Sequence, residues 1–366
     1  MKEILILGAG NIGEMIASLL AECGDYAVSV ADLSESKLAD LADRANISTL
    51  TLDISDQAAL DAAMDGKFAV LSAGPYQLTR KIATAAHNSG LHYLDLTEDV
   101  ASTRHVKKLA ETASHAFIPQ CGLAPGFISI VAFDLARKFD KLKDVRLRVG
   151  ALPEFPSNAL KYNLTWSTDG LINEYIQPCE AIVGGKLTEL LALEGCEEFS
   201  LDGVVYESFN TSGGLGTLSE SLEGRVNNLN YQTVRYPGHR DIIKMLVRDL
   251  GLGERTDLLK NILEHALPIT HQDLVLIFVT VTGWKNGRLV QESYARKVYA
   301  RDISGTHRTA IQITTASGIC AVLDMLATGQ LPDRGFVRQE DISFDDFIAN
   351  RFGANYAYAG DDHHCF

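Results

Sequence analysis

Apolar runs alternate with amphipathic stretches along the first 120 residues of the chain. Residues 4–7 form a short apolar run, and residues 11–23 carry apolar side chains at the spacing of one helical face. The alternation continues and predicts strands at 27–31, 49–52, 68–72, 92–96 and 116–119, with helices at 35–44, 57–64, 79–89 and 103–113. Strict alternation of strand and helix predicts an α/β domain in which a doubly wound parallel sheet carries helices on both faces.

The pattern changes after residue 127. Residues 128–137 predict one more helix, and the segments beyond it are longer and alternate with a period of two. In the clearest of them, four aliphatic residues from Val275 to Val281 share one face, and a glycine turn follows at residues 285–287. Such segments predict an α+β domain with a largely antiparallel sheet, whose expected strands are 145–149, 159–166, 204–210, 230–236, 274–284 and 289–300.

These patterns divide the chain into two domains and a tail. Its 366 residues suit two domains of ordinary size. Residues 1–127 are expected to form the first domain, completed by C-terminal helices within about residues 309–352, because residues 309–326 return to helical spacing. Residues 128–308 are expected to form the second domain and residues 353–366 a tail. The end of this tail, residues 361–366, is expected to be frayed and acidic, with binding of a stray metal ion as the alternative.

Composition and charge narrow the classes of function. Asp and Glu outnumber Lys and Arg by 47 to 33, and the resulting charge of −14 argues against a nucleic-acid-binding protein. The chain has no stretch of about 18 uncharged apolar residues, so no membrane span is expected. Its N-terminal apolar run is too short for a signal peptide. The six cysteines are scattered without a CxxC pair, which predicts reduced thiols in a cytoplasmic protein and no metal site.

The strongest local motif is a glycine-rich turn between the first predicted strand and the first helix. It reads Gly8-Ala-Gly10-Asn11-Ile12-Gly13. In such a turn the first glycine allows the sharp bend, the second lets a pyrophosphate approach the backbone, and the third permits close helix packing. The unpaired N–H groups at the helix N-terminus favour phosphates. The motif predicts a Rossmann-type dinucleotide-binding domain; a glycine turn without a cofactor is the alternative.

An acidic residue stands where the ribose of a dinucleotide would lie. Asp32 ends the second predicted strand, 19 residues after Gly13. A carboxylate at this place accepts hydrogen bonds from the ribose hydroxyls and repels a 2′-phosphate. No Arg follows it within residues 33–36. We therefore expect NAD as the cofactor, with NADP less favoured.

The third and fourth predicted strands end in further candidates for the cofactor pocket. Asp53 follows the third strand at the usual adenine edge, and a helix cap or a solvated turn is the alternative. The fourth strand ends in small residues that leave room for the nicotinamide. Tyr76, directly after them, either faces the substrate or simply packs. The small candidates are Ser72, Ala73, Gly74 and Pro75.

The fifth predicted strand ends in three carboxylates within five residues. Asp95, Glu98 and Asp99 are expected at the catalytic edge of the sheet, where one of them could act as a general base or bind an ammonium group. Capping of the next helix is the alternative. We take Asp95 and Glu98 as the candidate catalytic residues. Cys121, after the sixth strand, has no identifiable His partner and is expected to be a buried thiol.

Two polar segments of the second domain also carry candidate chemistry. Arg235 ends a predicted strand, and His239 follows it in the turn Arg-Tyr-Pro-Gly-His. An Arg can bind a substrate carboxylate bidentately, and a His can move a proton near neutral pH. The alternative for Arg235 is a surface salt bridge, and the alternative for His239 is a capping or solvated role. Residues 166–175 are polar and aromatic, and they either line a cleft or begin a capped helix.

These motifs together resemble the saccharopine dehydrogenase family, in the reductase-type branch that also contains lysine 6-dehydrogenases. The resemblance covers about residues 1–350. It rests on the glycine turn and on Ala73-Gly-Pro-Tyr76, Tyr93-Leu-Asp-Leu-Thr97, Gly122-Leu-Ala-Pro-Gly126, Ser167-Thr-Asp-Gly-Leu171 with Glu174-Tyr175, and Arg235-Tyr-Pro-Gly-His239. It implies an oxidoreductase that acts on the C–N bond of an amino acid with a nicotinamide cofactor. It also implies a substrate domain that often mediates formation of a homodimer.

One motif departs from the pattern of the saccharopine reductases. The reductases carry the pattern Gly-Leu-Asp-Pro-Gly-x-Asp-His after the sixth strand. This chain has Ala124 in place of the first Asp, and the next residues, 127–130 (Phe-Ile-Ser-Ile), contain neither the Asp nor the His. The departure favours a lysine 6-dehydrogenase over a saccharopine reductase. In this interpretation Arg235 holds the substrate carboxylate, and a carboxylate after the fifth strand or His239 takes the amine proton. A non-catalytic NAD-binding sensor is the alternative of another class.

Overall fold

A computed structural model describes residues 1–357 of the chain. The strands within them are β1 (Lys2–Leu7), β2 (Tyr26–Asp32), β3 (Ile47–Thr51), β4 (Ala69–Ser72), β5 (His92–Asp95), β6 (Ala116–Ile118), β7 (Lys141–Pro153), β8 (Cys179–Val183), β9 (Lys186–Leu190), β10 (Glu197–Leu201), β11 (Val204–Asn210), β12 (Asn228–Arg235), β13 (Asp273–Lys285), β14 (Arg288–Tyr299), β15 (Arg301–Ile303), β16 (Thr306–Arg308) and β17 (Gly335–Phe336).

The α-helices of the same residues follow in chain order. They are α1 (Asn11–Glu22), α2 (Glu35–Ala39), α3 (Gln57–Met64), α4 (Thr79–Ser89), α5 (Val100–Ala110), α6 (Phe127–Ala136), α7 (Thr168–Ile176), α8 (Leu218–Leu222), α9 (His239–Lys244), α10 (Thr256–Ala266), α11 (Ala310–Ala327) and α12 (Phe344–Ala349).

The first compact unit comprises residues 1–130 and the C-terminal segment from residue 312. Its sheet has seven strands in the order β17-β6-β5-β4-β1-β2-β3, and every pair of neighbours is parallel. Leu5, Val70 and Tyr93 project from three of these strands into an apolar cluster with Leu60 of α3 and Ile82 of α4. Each fully buried side chain of this kind contributes about 1.5–3 kcal/mol to folding. The expected doubly wound parallel sheet is confirmed.

The second unit comprises residues 131–311. Its main sheet runs β10-β11-β12-β7-β13-β14, and the hairpin β8–β9 attaches to β12. Neighbouring strands are antiparallel except β12 and β7, so the expectation of a largely antiparallel sheet is confirmed. A separate apolar cluster brings Tyr162, Tyr175 and Phe209 together with Leu259 and Leu263 of α10. The three aromatic rings of this cluster lie next to His239, with ring centres 5.3–6.3 Å from that of the imidazole.

Some predicted elements of the chain differ from the observed ones. Residues 159–166, expected as a strand, have no regular structure apart from one isolated bridge. The side-chain amide of Asn158 accepts from the Tyr162 N–H and donates to the Tyr162 carbonyl, so local side-chain bonds replace a strand ladder. Helix α2 ends at Ala39, not near residue 44. Strands β8, β9 and β10 were not predicted because they are short and partly exposed, which weakens their apolar pattern.

The C-terminal end of the described chain is packed. Gly353–Tyr356 form a turn of 3₁₀-helix, and the fully buried Tyr356 hydroxyl donates to the Thr314 carbonyl at 2.6 Å. Residues 353–357 therefore belong to the first unit, although the sequence assigned them to a tail. The rest of the expected acidic tail, residues 358–366, lies outside the described residues.

Helix α11 is apolar over its whole length. Of the helices in residues 1–357, it is the one long and apolar enough to cross a membrane by length and composition, and 78% of it is buried inside the protein. It also carries Asp324, whose carboxylate accepts hydrogen bonds from Tyr26, Asn350 and Arg351. A buried helix with a paired carboxylate is typical of a protein core.

Candidate functional site

The dinucleotide-binding candidates lie at the carboxyl-terminal edge of the sheet in the first unit. Strand order reverses between β1 and β4, and doubly wound sheets bind ligands at such a reversal. The Gly8 N–H, just after β1, donates to the Ala31 carbonyl at 2.8 Å. The Ala73 N–H, just after β4, donates to the Leu7 carbonyl at 2.9 Å. These bonds bring the two turns together at the reversal.

The three glycines of the turn meet different surroundings. Gly8 has φ of +116°, and a Cβ there would lie 2.7 Å from the Ala73 carbonyl oxygen. A Cβ on Gly13 would lie 1.9 Å from the Gly8 carbonyl oxygen, so α1 crosses the turn too closely for any side chain. A Cβ on Gly10 would meet nothing within 4 Å. Open space at Gly10, beside the N-terminal residues Asn11 and Ile12 of α1, fits an approaching pyrophosphate.

Asp32 holds the glycine turn and keeps acceptor capacity. Its Oδ2 accepts from the Ala9 N–H at 2.8 Å, and its Oδ1 accepts from the Ser34 N–H at 2.8 Å. A carboxylate offers about four lone pairs, so two remain for the hydroxyls of a ribose. The side chain is only partly buried. The geometry fits the role that the sequence predicts for Asp32 in dinucleotide binding.

The small residues after β4 occupy the same edge as the glycine turn. Ser72 is buried at the end of the strand. A Cβ on Gly74 would lie 3.6 Å from the Leu7 carbonyl oxygen, which is ordinary contact. Pro75 is exposed, and the partly buried Tyr76 begins a turn of 3₁₀-helix, Tyr76–Leu78. The nicotinamide and substrate contacts expected for these residues and for Ala73 stay predictions.

Asp53 is exposed after β3 and forms a local turn. Its Oδ1 accepts from the Ser55 N–H at 2.8 Å, and hydrogen bonds from Ser55, with the nearby Lys81 charge, lower the pKa of the carboxyl. Asp56, not Asp53, caps α3 by accepting from the Ala59 N–H. Asp53 therefore lies in a solvated turn, which was one of the alternatives for it, and its contact with adenine stays a prediction.

Asp95 lies in a buried network at the ends of β5 and β6. Its Oδ2 accepts from the Tyr93 hydroxyl at 2.8 Å, and its Oδ1 accepts from the N–H groups of Thr97 at 3.0 Å and Gln120 at 2.8 Å. Burial raises the pKa of Asp95 to about 6, although these three hydrogen bonds act in the opposite direction. The side chain is 1% exposed. This geometry favours a role for Asp95 in joining the two strand ends.

The neighbouring carboxylates differ from Asp95 in exposure. Asp99 accepts from the Ser102 N–H at 2.7 Å and caps α5, which was the alternative for this cluster. Glu98 is partly exposed, so of the two catalytic candidates in this cluster it is the one that solvent reaches. Cys121 is buried, and its thiol donates to the Ile118 carbonyl at 3.0 Å; burial raises the pKa of the thiol well above its usual value.

In the second unit, Arg235 and His239 are joined through one tyrosine. Arg235 Nε donates to the Tyr175 hydroxyl at 3.2 Å, and that hydroxyl lies 3.0 Å from His239 Nε2. His239 Nδ1 lies 3.0 Å from the Leu160 carbonyl, which can only accept. We infer the tautomer from this chain of contacts: Nδ1 carries the proton, and Nε2 accepts from Tyr175.

Burial decides the protonation of His239. Its side chain is 1% exposed, and desolvation together with the Arg235 charge lowers its pKa to about 3. The imidazole therefore stays neutral near physiological pH. The sequence predicted proton transfer or a capping or solvated role for His239. The structure shows a buried ring whose two nitrogens are both engaged, which orients Tyr175.

Glu207 fixes the turn that presents Arg235 and His239. Its Oε2 accepts from the Gly238 N–H at 2.8 Å, and its Oε1 accepts from the Arg240 N–H at 2.6 Å. Glu207 and Arg235 are opposite each other in the backbone register of the antiparallel strands β11 and β12, without an ion pair between their side chains. A buried carboxylate from the neighbouring strand therefore holds the start of α9 in place.

The sequence did not single out two further residues of this site. Glu174 is buried beside the charge of Arg235, and burial raises the pKa of its carboxyl. Tyr162 is fully buried, and the Arg235 guanidinium lies 4.8 Å from the centre of its ring. Glu174 lies in the segment 166–175 and in the motif Glu174-Tyr175 of the family resemblance, but neither assigned it a role. The alternative of a capped helix for this segment is observed, because Ser167 caps α7.

No group of three or more His, Cys, Asp or Glu residues suitable for a metal ion occurs within residues 1–357. The five cysteines of this part of the chain are free thiols.

Family comparisons match both units. The model described as the saccharopine dehydrogenase NADP binding domain matches residues 4–117. The model described as the saccharopine dehydrogenase C-terminal domain matches residues 122–354. The chain belongs to the saccharopine dehydrogenase family. The resemblance inferred from the motifs is confirmed, and residues 4–117 form a nicotinamide dinucleotide-binding domain of this family.

Two relatives are identical to this chain at about a quarter of the aligned positions. The mitochondrial alpha-aminoadipic semialdehyde synthase of Bos taurus is 24% identical over 316 residues, which is 81% of this chain and 33% of that protein. The saccharopine dehydrogenase [NADP(+), L-glutamate-forming] of Saccharomyces cerevisiae is 24% identical over 263 residues, 69% of this chain and 58% of that protein. The matched region thus spans about a third of the first relative and less than two thirds of the second.

Solved structures share the fold. The apo saccharopine dehydrogenase (L-Glu forming) from Saccharomyces cerevisiae has a TM-score of 0.78 at 16% identity, covering 95% of this chain and 97% of that one. The homospermidine synthase from Legionella pneumophila, solved in complex with NAD, has a TM-score of 0.68 at 14% identity, covering 97% and 89% of the two chains. At these identities the likeness establishes the architecture.

Proposed function

We propose that this chain is a nicotinamide-dependent oxidoreductase that acts on the C–N bond of an amino acid, with L-lysine as the favoured substrate. The observation that carries the proposal is the glycine turn with Asp32 at the strand reversal of a saccharopine dehydrogenase family member. The turn has open space at Gly10, where a pyrophosphate fits.

We propose NAD as the preferred cofactor. Asp32 places a carboxylate with two spare lone pairs at the end of β2, where it would bind the ribose hydroxyls and repel a 2′-phosphate. Lys37 in α2 is the nearest cation that follows along the chain, beyond Ser34 and Ser36, whose hydroxyls bond each other at 2.9 Å. The NADP in the name of the family model and of the yeast relative makes NADP the competing cofactor.

We prefer lysine to saccharopine because of the residues at the start of α6. Ile128 and Ser129 stand at the Asp and His positions of the reductase pattern, and they are 0% and 1% exposed in the first unit. Ala124 likewise replaces an acid. A buried isoleucine offers no charge for a substrate with two amino-acid halves. Saccharopine is the second candidate substrate because the yeast relative is named for it.

The residues of the chain supply binding and proton movement. When bound, the nicotinamide accepts the hydride from the carbon next to the amine. Arg235 would bind the substrate carboxylate through its guanidinium. The amine must lose a proton before it can be oxidised, and Glu98 is the partly exposed carboxylate that would take it. His239 and Tyr175 would hold Arg235 in place. The α-amine of the product then adds to the imine carbon and ammonia leaves, or water hydrolyses the imine to an aldehyde and ammonia.

A cofactor and substrate screen tests this proposal. The purified chain is incubated with NAD or NADP and with L-lysine, saccharopine or ornithine, and the absorbance of the reduced nicotinamide is followed. NADH formation with lysine but not saccharopine is the expected result. Formation with saccharopine would show that the departure at Ala124 is not decisive. Stabilisation against heat by NADP alone would contradict the role given to Asp32.

A non-catalytic NAD-binding sensor is the second candidate function. Asp95 and His239, two of the proposed proton-transfer groups, are buried and fully hydrogen-bonded, which favours it. Tight NAD binding without turnover over a broad panel of amines would support the sensor. Reduction of NAD with any amine would exclude it.

We also propose that the protein is a cytoplasmic homodimer that binds a small amino-acid substrate and no nucleic acid or membrane. The free thiols of the described cysteines support a reducing compartment, and the family resemblance supports the dimer. Light scattering coupled to size-exclusion chromatography measures the mass, and a mass near 40 kDa, close to the 39.9 kDa of one chain, would contradict the dimer.

A further inference from the structure

The second unit buries a cation that has no ion-pair partner. The Arg235 guanidinium is 2% exposed, and its hydrogen bonds go to the Tyr175 hydroxyl and the Val234 carbonyl. Within residues 1–357, no carboxylate forms an ion pair with it at 4 Å or less. A charge taken out of water without a paired counter-ion is costly to fold. A binding site for an anionic group accounts for keeping such a residue.

A buried carboxyl group lies in the same region and also lacks a direct partner. Glu174 is 7% exposed and feels the charge of Arg235. In the part of the chain that the structure describes, no donor forms a hydrogen bond with its carboxylate. The site therefore contains a cation and a carboxyl group that influence each other without contact, and a bound ammonium group would favour the ionised form of that carboxyl.

Three neutral polar atoms of the segment 162–165, which includes the Arg235 contact Tyr162, are buried and unsatisfied. They are the Tyr162 hydroxyl, the Asn163 side-chain carbonyl and the Thr165 hydroxyl. Tyr162 packs its ring against the Arg235 guanidinium, 4.8 Å from the ring centre. Thr165 lies close to Tyr162, yet the two hydroxyls do not meet hydrogen-bond geometry. Native proteins leave few buried polar atoms unpaired, so three within four residues point to a ligand that completes them.

We propose that Glu174 binds the ammonium group of an α-amino acid whose carboxylate binds Arg235, and that Tyr162, Asn163 and Thr165 complete this head-group site. The inference rests on the proposed function for Arg235 and adds Glu174 and the three polar residues to it.

The numbers of donors and acceptors match such a ligand. An ammonium group has three N–H donors, which Glu174, the Asn163 carbonyl and the Thr165 hydroxyl can accept. A carboxylate accepts only, and Arg235 and the Tyr162 hydroxyl donate. A polyamine would leave Arg235 without an anion. A dicarboxylate without an amine would leave Glu174 without a cation. The α-amino acid terminus, which carries both charges on one carbon, satisfies both.

Equilibrium binding to the full chain tests the inference independently of turnover. Calorimetry compares L-lysine with 6-aminohexanoate, and L-glutamate with glutarate, so that each pair differs by the α-ammonium group. We expect the wild type to bind at least one amino acid about tenfold tighter than its analogue, which is the ordinary effect of a charged hydrogen bond. Glu174→Gln should remove this preference and leave the affinity for the analogue within about threefold of the wild type.

Asp169→Asn is the matched control. Asp169 lies on the same helix, α7, with its side chain 53% exposed and paired with Lys260 at 2.7 Å. The Asp169→Asn substitution replaces a carboxyl by an amide on the same helix and should keep the wild-type preference for the amino acid over its analogue. A preference that survives in Glu174→Gln, equal binding of both members of each pair to the wild type, or binding of none of the four compounds overturns the inference.

Tyr162→Phe provides a second measurement that does not depend on Glu174→Gln folding. Loss of an unpaired buried hydroxyl should keep or raise the unfolding temperature of the ligand-free protein, while amino-acid binding weakens about threefold or more. A lower unfolding temperature with unchanged binding would show a structural hydroxyl and contradict the site. Binding without NAD reduction would refute the proposed function alone. Oxidation of an amine with no preference for the α-ammonium group would refute this inference alone.

Discussion

Tyr175 and Tyr162 are both buried in the second unit, and their hydroxyls differ in what they contact. The Tyr175 hydroxyl bonds Arg235 Nε at 3.2 Å and His239 Nε2 at 3.0 Å, whereas the Tyr162 hydroxyl has no partner. Replacing each by Phe removes one oxygen and keeps the ring. We therefore predict opposite effects on the stability of this unit.

The contacts set the expected size of the effect. Tyr175→Phe leaves a charged donor on Arg235 and a ring nitrogen on His239 without partners. A bond to a charged group contributes about 1.5–3 kcal/mol and a neutral one about 0.5–1.5 kcal/mol, so the free energy of unfolding should fall by about 2–4 kcal/mol. Tyr162→Phe removes a hydroxyl that makes no bond, and we expect a change between zero and a gain of about 1 kcal/mol.

Urea unfolding followed by tryptophan fluorescence measures both variants. The two tryptophans of the chain, Trp166 and Trp284, lie in the second unit, so their signal reports this unit. With a slope of about 2 kcal/mol per molar urea, Tyr175→Phe should lower the midpoint by about 1–2 M. Equal shifts for the two variants, or a shift below about 0.5 M for Tyr175→Phe, would refute the hydrogen-bond reasoning.

Four further predictions concern the cofactor turn and the polar residues of the second unit. Asp32→Asn should lower the ratio of NAD to NADP affinity about tenfold in calorimetry, because it removes the charge that repels a 2′-phosphate, and an unchanged ratio would contradict the NAD preference. Gly13→Ala should destabilise the first unit by about 2 kcal/mol or more in thermal unfolding, because its Cβ meets the Gly8 carbonyl, whereas Gly10→Ala should weaken dinucleotide binding at nearly unchanged stability. Arg235→Lys should raise KM about tenfold because a bidentate contact is lost, and an unchanged KM would remove it from the substrate site. His239 is neutral in the folded state, with a pKa of about 3, whereas the unfolded chain protonates it below about pH 6.5. The contribution of the neutral ring to the free energy of unfolding is therefore complete above pH 6.5 and is lost by about 1.4 kcal/mol per pH unit as pH falls from 6.5 towards 3. A His239→Gln variant whose free energy of unfolding has the wild-type dependence on pH in urea titrations would contradict this.

The sequence by itself determined the cofactor turn and the alternation of strands and helices in the first unit. Gly8, Gly10, Gly13 and Asp32 all lie within one strand–helix–strand segment, whose geometry depends on local backbone preferences and short spacing. The helical and strand periods of residues 1–119 likewise come from the backbone of each segment, and the parallel sheet follows from their alternation. The strand predicted at residues 159–166 is not formed, because the apolar pattern does not reveal the hydrogen bonds from the Asn158 side chain that replace the strand ladder.

Only the tertiary structure decided which candidate side chains are buried. Asp95 and Glu98 are three residues apart and chemically alike, yet Asp95 is enclosed by Tyr93 and Gln120 while Glu98 is partly exposed. Tyr175 meets His239 across 64 positions of sequence. Burial and hydrogen bonding depend on which distant segments pack over a residue, and desolvation by those segments, not the residue type, sets whether its charge and its proton are available.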